Sequence, residues 1–396
     1  MNVLNKCNPL QFKTAHGQKI SSALFYLSFW GYVFCTTYYG TNLLHTDKKM
    51  ARLLLQISWL CVYCAVANIL FFSDYSLKQL LYIAAVLGIF YISFSVSRSR
   101  HLLQGFILVF SAKRINWHRF IISNTCFYPF LLLSIFICNR IGLISSLNFP
   151  RGNLIRTDMG FSHPNVLGAY LMIICMSWMI VRYKKLIIYD YFVFAAIIAY
   201  IWIGPNSRSS ALTLTLMVLA LPFFKKQSHL FRQKIIHTFI SLSYLLGFFA
   251  SYICALLYNA ENSLLTFIDR MLSGRISLAN IFLQNYPSTL FGQKLKLVSS
   301  AQSSINGSPS AILDNAYIRM YLETGIIPTM VFLCIMTATI YYLISKEQYS
   351  LVLCLCLFAV YSLFEYRISK ISVNFLLLTV VLPFQNIFLE KKKEQH

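Results

Sequence analysis

The chain has 396 residues, of which 58% are hydrophobic and only 12% charged, and its mean hydropathy is +0.63. Soluble domains carry about 25% charged residues, so this composition excludes an ordinary soluble domain and reads as a polytopic membrane protein. The net charge of +22 would suit nucleic acid, but no compact basic soluble segment exists to hold one; the basic residues flank apolar runs instead.

Residues 1–19 are polar, with Lys6, Lys13 and Lys19. The first apolar run is long enough to span, so no cleavable signal peptide is expected. Apolar runs follow at about 20–40, 51–72, 79–96, 101–112, 116–138, 166–181, 186–204, 209–224, 235–258, 326–345, 350–364 and 371–388. The expected fold is therefore an all-α integral membrane protein, one polytopic domain over 1–396 with about twelve transmembrane helices. The fourth run is short for a hydrocarbon core of roughly 30 Å and reads as re-entrant or as borrowing its flanks. All but Cys7 of the 11 cysteines lie in or at the ends of these runs. None has a His partner at metal-ligand spacing, so they read as small packing residues.

Lys113/Arg114, Arg182/Lys184/Lys185, Lys225/Lys226/Arg232/Lys234 and Lys391–Lys393 mark the cytoplasmic side, with both termini inside. The outer segments are then 139–165, 205–208 and 259–325. Lysines prevail inside by this assignment and arginines outside. Topology accounts for the lysines. Arginine is the side chain that grips phosphate bidentately and keeps its charge; the alternative is snorkelling to headgroups or pairing with acids.

In the first outer segment Arg140, Arg151 and Arg156 lead into Phe161-Ser162-His163-Pro164-Asn165. Pro164 suits a first helical turn, and His163 or Ser162 would cap it. The helix N-terminus and Arg156 would make an anion site; a plain capped turn is the alternative. Asn206 or Ser207 would cap the eighth run, with Arg208 at its start and no acidic neighbour.

The segment 259–325 is too long for a plain connector. Leu264, Leu265, Ile268, Met271 and Leu272 share a helical face, which predicts an amphipathic helix on the membrane or on the bundle, ended by Gly274-Arg275. A second helix is expected over about 278–285, before Pro287, and a Ser-rich flap over 297–312. Asp314 then opens a helix that runs through Glu323 and stops at Gly325, as its N-cap, as a base, or as both. The outer acids are Asp47, Asp158, Glu261, Asp269, Asp314, Glu323 and Glu365. No P-loop, GxGxxG, HExxH or Asp-x-Asp pair is present, so metal-independent chemistry without a cofactor is expected.

Gly160-Phe161-Ser162-His163-Pro164-Asn165 with Gly168, Asn206-Ser207-Arg208-Ser209-Ser210-Ala211, Gly274-Arg275 and Asp314-Asn315-Ala316-Tyr317 through Glu323-Thr324-Gly325 occur in this order over about 150–330. Together they resemble the Wzy-type polysaccharide polymerases of the O-antigen polymerase and ligase superfamily. The resemblance implies a bacterial plasma-membrane enzyme whose substrates are oligosaccharide repeat units on undecaprenyl pyrophosphate. A chain-length regulator and a flippase would be further partners, and capsule, exopolysaccharide or O-antigen the product. Arg156, Arg208 and Arg275 are the expected pyrophosphate ligands, with Asn165, Asn315 and Tyr317 at the substrate. Where the ligase branch carries a His, this chain has Asp314, so the catalytic base is Asp314 first and His163 second. Transfer to another acceptor by a ligase, or a lipid-linked oligosaccharide flippase, are the alternatives; the lack of an internal repeat and the single large loop favour an enzyme over a flippase.

Overall fold

The computed structural model describes residues 15–151, 154–226, 228–298 and 312–386. Their regular structure is almost all helix, as the apolar runs require, and the chain is a membrane protein of the all-α class. It divides into two compact units. The first comprises Met1–Leu87, Gln104–Thr215 and Lys370–His396, and the second Gly88–Leu103 and Leu216–Ser369.

The helices in chain order are α1 (Ala15–Tyr39), α2 (Lys48–Ala67, continued by a π-turn over Asn68–Phe72), α3 (Leu77–Ser97), α4 (His101–Ser111) and α5 (Trp117–Arg140). A short hairpin of β1 (Asn148–Arg151) and β2 (Leu154–Thr157) follows. Then come α6 (Pro164–Arg182), α7 (Ile188–Ile203), α8 (Arg208–Lys226), α9 (Lys234–Ser241), α10 (Ser243–Leu256), α11 (Ser263–Met271), α12 (Arg275–Asn285), α13 (Ala316–Thr324), α14 (Ile326–Ser345) and α15 (Tyr349–Tyr361). The described chain ends in a 3-10 run over Phe375–Val380 and α16 (Val381–Asn386).

Among the described residues six helical stretches are long and apolar enough to cross a membrane, and the α9–α10 pair, bent by 57°, makes a seventh if it is one span. Three more apolar helices, α4, α7 and α15, are shorter. The 11 residues of α4 rise only about 16 Å, about half of a roughly 30 Å hydrocarbon core. The run expected over 371–388 is no continuous helix among the described residues: turns occupy 371–374 and a 3-10 run precedes α16. Large apolar side chains such as Leu60, Phe130, Leu133, Ile203 and Leu219 point away from the protein, as helices solvated by lipid do.

Asp and Asn set the helix starts. Asp47 Oδ1 accepts from the amides of Lys49 and Met50, Asn116 from Arg119, and Asn262 from Leu264 and Leu265. Each satisfies donors that the first turn leaves open. In the first unit α1 lies so close to α2 that a Cβ on Gly31 would stand 2.8 Å from Cys61 Sγ. Phe25, Phe29, Trp30 and Phe120 interlock beside them. In the second unit Gly247 of α10 admits the ring of Tyr317 from α13. The ten described cysteines are free thiols.

Candidate functional site

The segment 139–165, expected as an outer loop, contains the β hairpin, with Phe149 opposite Arg156 across the strands. Alternation over so few residues, with Pro150 among them, leaves little period-2 signal to read. Asp158, fully buried, closes the base of this hairpin. Its carboxylate accepts from Asn42 Nδ2 at 2.7 Å and from the amides of Leu147 and Gly160 at 3.1 Å. Burial pushes its carboxyl above the usual value, and the donors from Asn42, Gly160 and Leu147 draw it back. Asn42 also donates its amide to Gly160 O and its side chain to Ser145 O, so the loop is tied to the chain just after α1.

His163 is the N-cap of α6, and Pro164 takes the first helical position. His163 Nδ1 accepts from the Asn165 amide at 3.1 Å, which leaves its ring proton on Nε2. The ring of Phe149 packs edge-on to it at 5.0 Å. Arg156 is the cross-strand partner of that Phe149, so strand pairing brings Arg156 and His163 to the same corner of the hairpin.

Gly168 lies one turn further along α6. A Cβ there would meet Ser207 Cβ at 2.5 Å and Ser207 Oγ at 2.6 Å. Ser207 Oγ in turn donates to Ser210 Oγ at 3.1 Å. The glycine and the two serines of the motif segments are thus a close helix–helix contact, the use that small residues have between membrane helices. Asn206 adopts a left-handed conformation (φ 47°) just before them. Arg208, the first residue of α8, is exposed and forms no ion pair among the described residues.

In the second unit α11 and α12 form as two separate helices joined at Gly274, whose φ of 78° is one that favours glycine. Asp269 of α11 caps α12, its Oδ1 accepting from the amides of Ile276 and Ser277. The expected flap over 297–312 lies almost entirely outside the described residues. Asp314 is not the N-cap of α13: Asn315 is, with Oδ1 accepting from the amides of Tyr317 and Ile318. The correction moves α13 by one residue and releases the Asp314 carboxylate from capping. Asn315 Nδ2 donates to Ser251 Oγ, and Tyr317, fully buried, donates its hydroxyl to Ala359 O. Both side chains join α13 to its neighbours.

Asp314 faces a set of charges. Arg275 Nη2 stands 3.9 Å from Asp314 Oδ2 and 3.5 Å from Glu365 Oε1. The same guanidinium donates from Nε to Phe364 O at 2.7 Å and from Nη1 to Leu272 O at 2.9 Å. Arg367 Nε lies 3.9 Å from Glu365 Oε2. Arg319 packs on the ring of Tyr366, 3.2 Å from its centroid, and pairs with Glu323, whose Oε2 also accepts from the Tyr366 hydroxyl. The Asp314 side chain is 35% exposed and that of Glu365 only 5%. Burial pushes the Asp314 carboxyl above the ordinary range, while Arg275, then Arg367 and Arg319, pull it down. Burial likewise raises the Tyr366 phenol.

Glu365, Tyr366, Arg367 and Arg319 were not among the residues expected at the site. The available signal was the charged stretch Glu365-Tyr366-Arg367 between two apolar runs, where unpaired charges next to a membrane are costly. Among the described residues no group of three His, Cys, Asp or Glu side chains is placed to hold a metal ion. No protein-family model, no curated protein and no solved structure matches this chain.

Proposed function

We propose that the protein is a membrane glycosyltransferase that polymerises lipid-pyrophosphate-linked oligosaccharides, as the resemblance to Wzy-type polymerases implies, and that Asp314 is its base. The observation that carries the reading is a half-exposed carboxylate freed from helix capping and faced by Arg275, Arg367 and Arg319. A hydroxyl of the acceptor sugar gives its proton to Asp314 as its oxygen bonds to the anomeric carbon of the donor. The bond from that carbon to pyrophosphate breaks, and the lipid pyrophosphate leaves with the electron pair. A carboxyl raised above the ordinary range by burial suits proton uptake better than an ordinary exposed Asp.

Within this reading the twelve apolar runs all lie at membrane depth, with both termini inside the bacterial plasma membrane and 259–325 outside. The committed hydrogen bonds of Arg275 suit it to orienting Asp314, with only Nη2 turned toward the carboxylates. Arg208, exposed and without an ion pair among the described residues, is free to meet a phosphate, and Arg156 is assigned the same task.

The test is the glycan profile of a deletion strain complemented with variants. Asp314→Asn is expected to lower polymer formation by about 100-fold or more, the usual worth of a positioned base, with normal protein in the membrane. Accumulation of single lipid-linked repeat units on the outer face is the expected phenotype. Finished polymer left on its lipid would point to a ligase, units trapped on the inner face to a flippase, and full activity of Asp314→Asn would remove Asp314 from the reaction.

A further inference from the structure

We propose that Glu365 is a positioning residue, a buried carboxylate that holds Arg275 and Arg367 in place and limits how much of their charge reaches Asp314. The inference rests on the reading of Asp314 as the base. Glu365 and Asp314 share one guanidinium nitrogen, Arg275 Nη2, at 3.5 and 3.9 Å. They divide by exposure. Asp314 is partly exposed, at 35%, whereas the Glu365 side chain is closed off at 5% with two arginines beside it.

A carboxylate so buried needs donors or positive charge to offset its lost hydration, and each of its oxygens has an arginine nearby: Oε1 has Arg275 and Oε2 has Arg367. Arg275 cannot swing away to serve Asp314 alone, because Phe364 O and Leu272 O hold its other two nitrogens. Among the described residues, other charged and titratable groups near Asp314 include Arg319 and Glu323 of α13 and Tyr366 of the segment after α15, whose ring meets that of His101. They are engaged with one another through the Arg319–Glu323 ion pair and the Tyr366–Glu323 hydrogen bond. Glu365 is therefore the negative charge that tempers Arg275 and Arg367.

Glu365→Gln keeps the shape and removes that charge, so Asp314 should give up its proton more readily. Arg275→Gln removes positive charge, so Asp314 should hold its proton to higher pH. The opposite signs separate electrostatic positioning from a merely structural ion pair, whose loss would shift neither midpoint in a defined direction.

The experiment is an infrared titration of the full-length protein in lipid nanodiscs. The Asp314 carboxyl band is taken as the difference from Asp314→Asn. Its midpoint is expected to fall by about 1 pH unit in Glu365→Gln and to rise by a similar amount in Arg275→Gln. An unchanged or raised midpoint in a folded Glu365→Gln protein overturns the proposal. If that variant does not fold, Glu365→Asp, which draws the charge back from both guanidiniums, is read in its place; a lowered midpoint supports the proposal and an unchanged one overturns it. The infrared midpoint is independent of glycan transfer. An active Asp314→Asn enzyme would defeat the base assignment while leaving the charge coupling measurable, so the two failures remain distinct.

Discussion

The polar residues around Asp158 and those around Asp314 look alike in the sequence and behave differently in the fold. In the first region the two titratable side chains hold the main chain: Asp158 accepts two amides as well as the Asn42 side chain, and His163 caps α6. In the second, a neighbour takes over the backbone work. Asn315 caps α13, and Asp314 is left facing arginines. A carboxylate beside open amides is captured by them; one residue away from an adequate cap it stays available for chemistry. Polar residues in a membrane protein thus become candidates for chemistry when something else has met the needs of the main chain.

The largest expected effect lies where the second region is closed by glycine. A Cβ on Gly292 (φ 91°) would stand 2.2 Å from Glu323 O, and one on Gly325 (φ 95°) 2.3 Å from Gly292 N. Neither backbone can yield, so Gly292→Ala or Gly325→Ala is expected to destabilise by about 3 kcal/mol or more, read by thermal unfolding in detergent. A variant as stable as the parent would mean that the loop before α13 is not held against the corner that carries Glu323.

Next comes the clamp of the first region. Asp158→Ala leaves the amides of Leu147 and Gly160 without their acceptor and the Asn42 side chain with only Ser145 O, and is expected to cost about 3 kcal/mol. Asp158→Asn, which retains one acceptor oxygen, should cost less. If both variants fold normally but lose glycan transfer, the comparison breaks, because Asp158 then acts in chemistry rather than structure.

A smaller effect follows from protonation. Folding raises the Asp314 carboxyl above its unfolded value, so the folded chain keeps this proton over a range where the unfolded chain, with an ordinary Asp at about 3.9, has lost it. The resulting stability is complete below that unfolded value and is lost as pH rises through the folded one. The unfolding temperature of the parent relative to Asp314→Asn should therefore fall across this interval and stay level above it. Activity should run the opposite way, rising with pH over the same interval as the base loses its proton.

The smallest effect concerns the cap of α6. His163→Ala is expected to cost about 1 kcal/mol and His163→Asn, a good cap, less. If transfer survives in His163→Asn, the ring is a cap and not a base; if it is lost while stability is kept, the base role passes to His163.

Much of the frame was legible in the chain. Apolar runs long enough to span predicted α2, α3, α5, α6, α8 and α14 nearly to their ends, because such runs bury well in lipid only as helices. The Ser162-His163-Pro164 start of α6, the Gly274 junction and the Gly325 stop were local and therefore readable: a cap, a fixed φ and a positive φ each depend on one or two residues. The hairpin at Asn148–Thr157 was not, since its signal is cross-strand pairing. Neither were the bend between α9 and α10 or the turns over 371–374, where packing overrides an apolar run that reads as continuous. Arg275 and Asp314 could be named from sequence, but their common partner Glu365 could not. It lies 90 residues beyond Arg275, and an electrostatic neighbour across that separation is chosen only when the helices pack. Sequence determined which residues carry charge in an apolar chain; tertiary structure decided which of those charges hold backbone, which neutralise one another, and which carboxylate is left open.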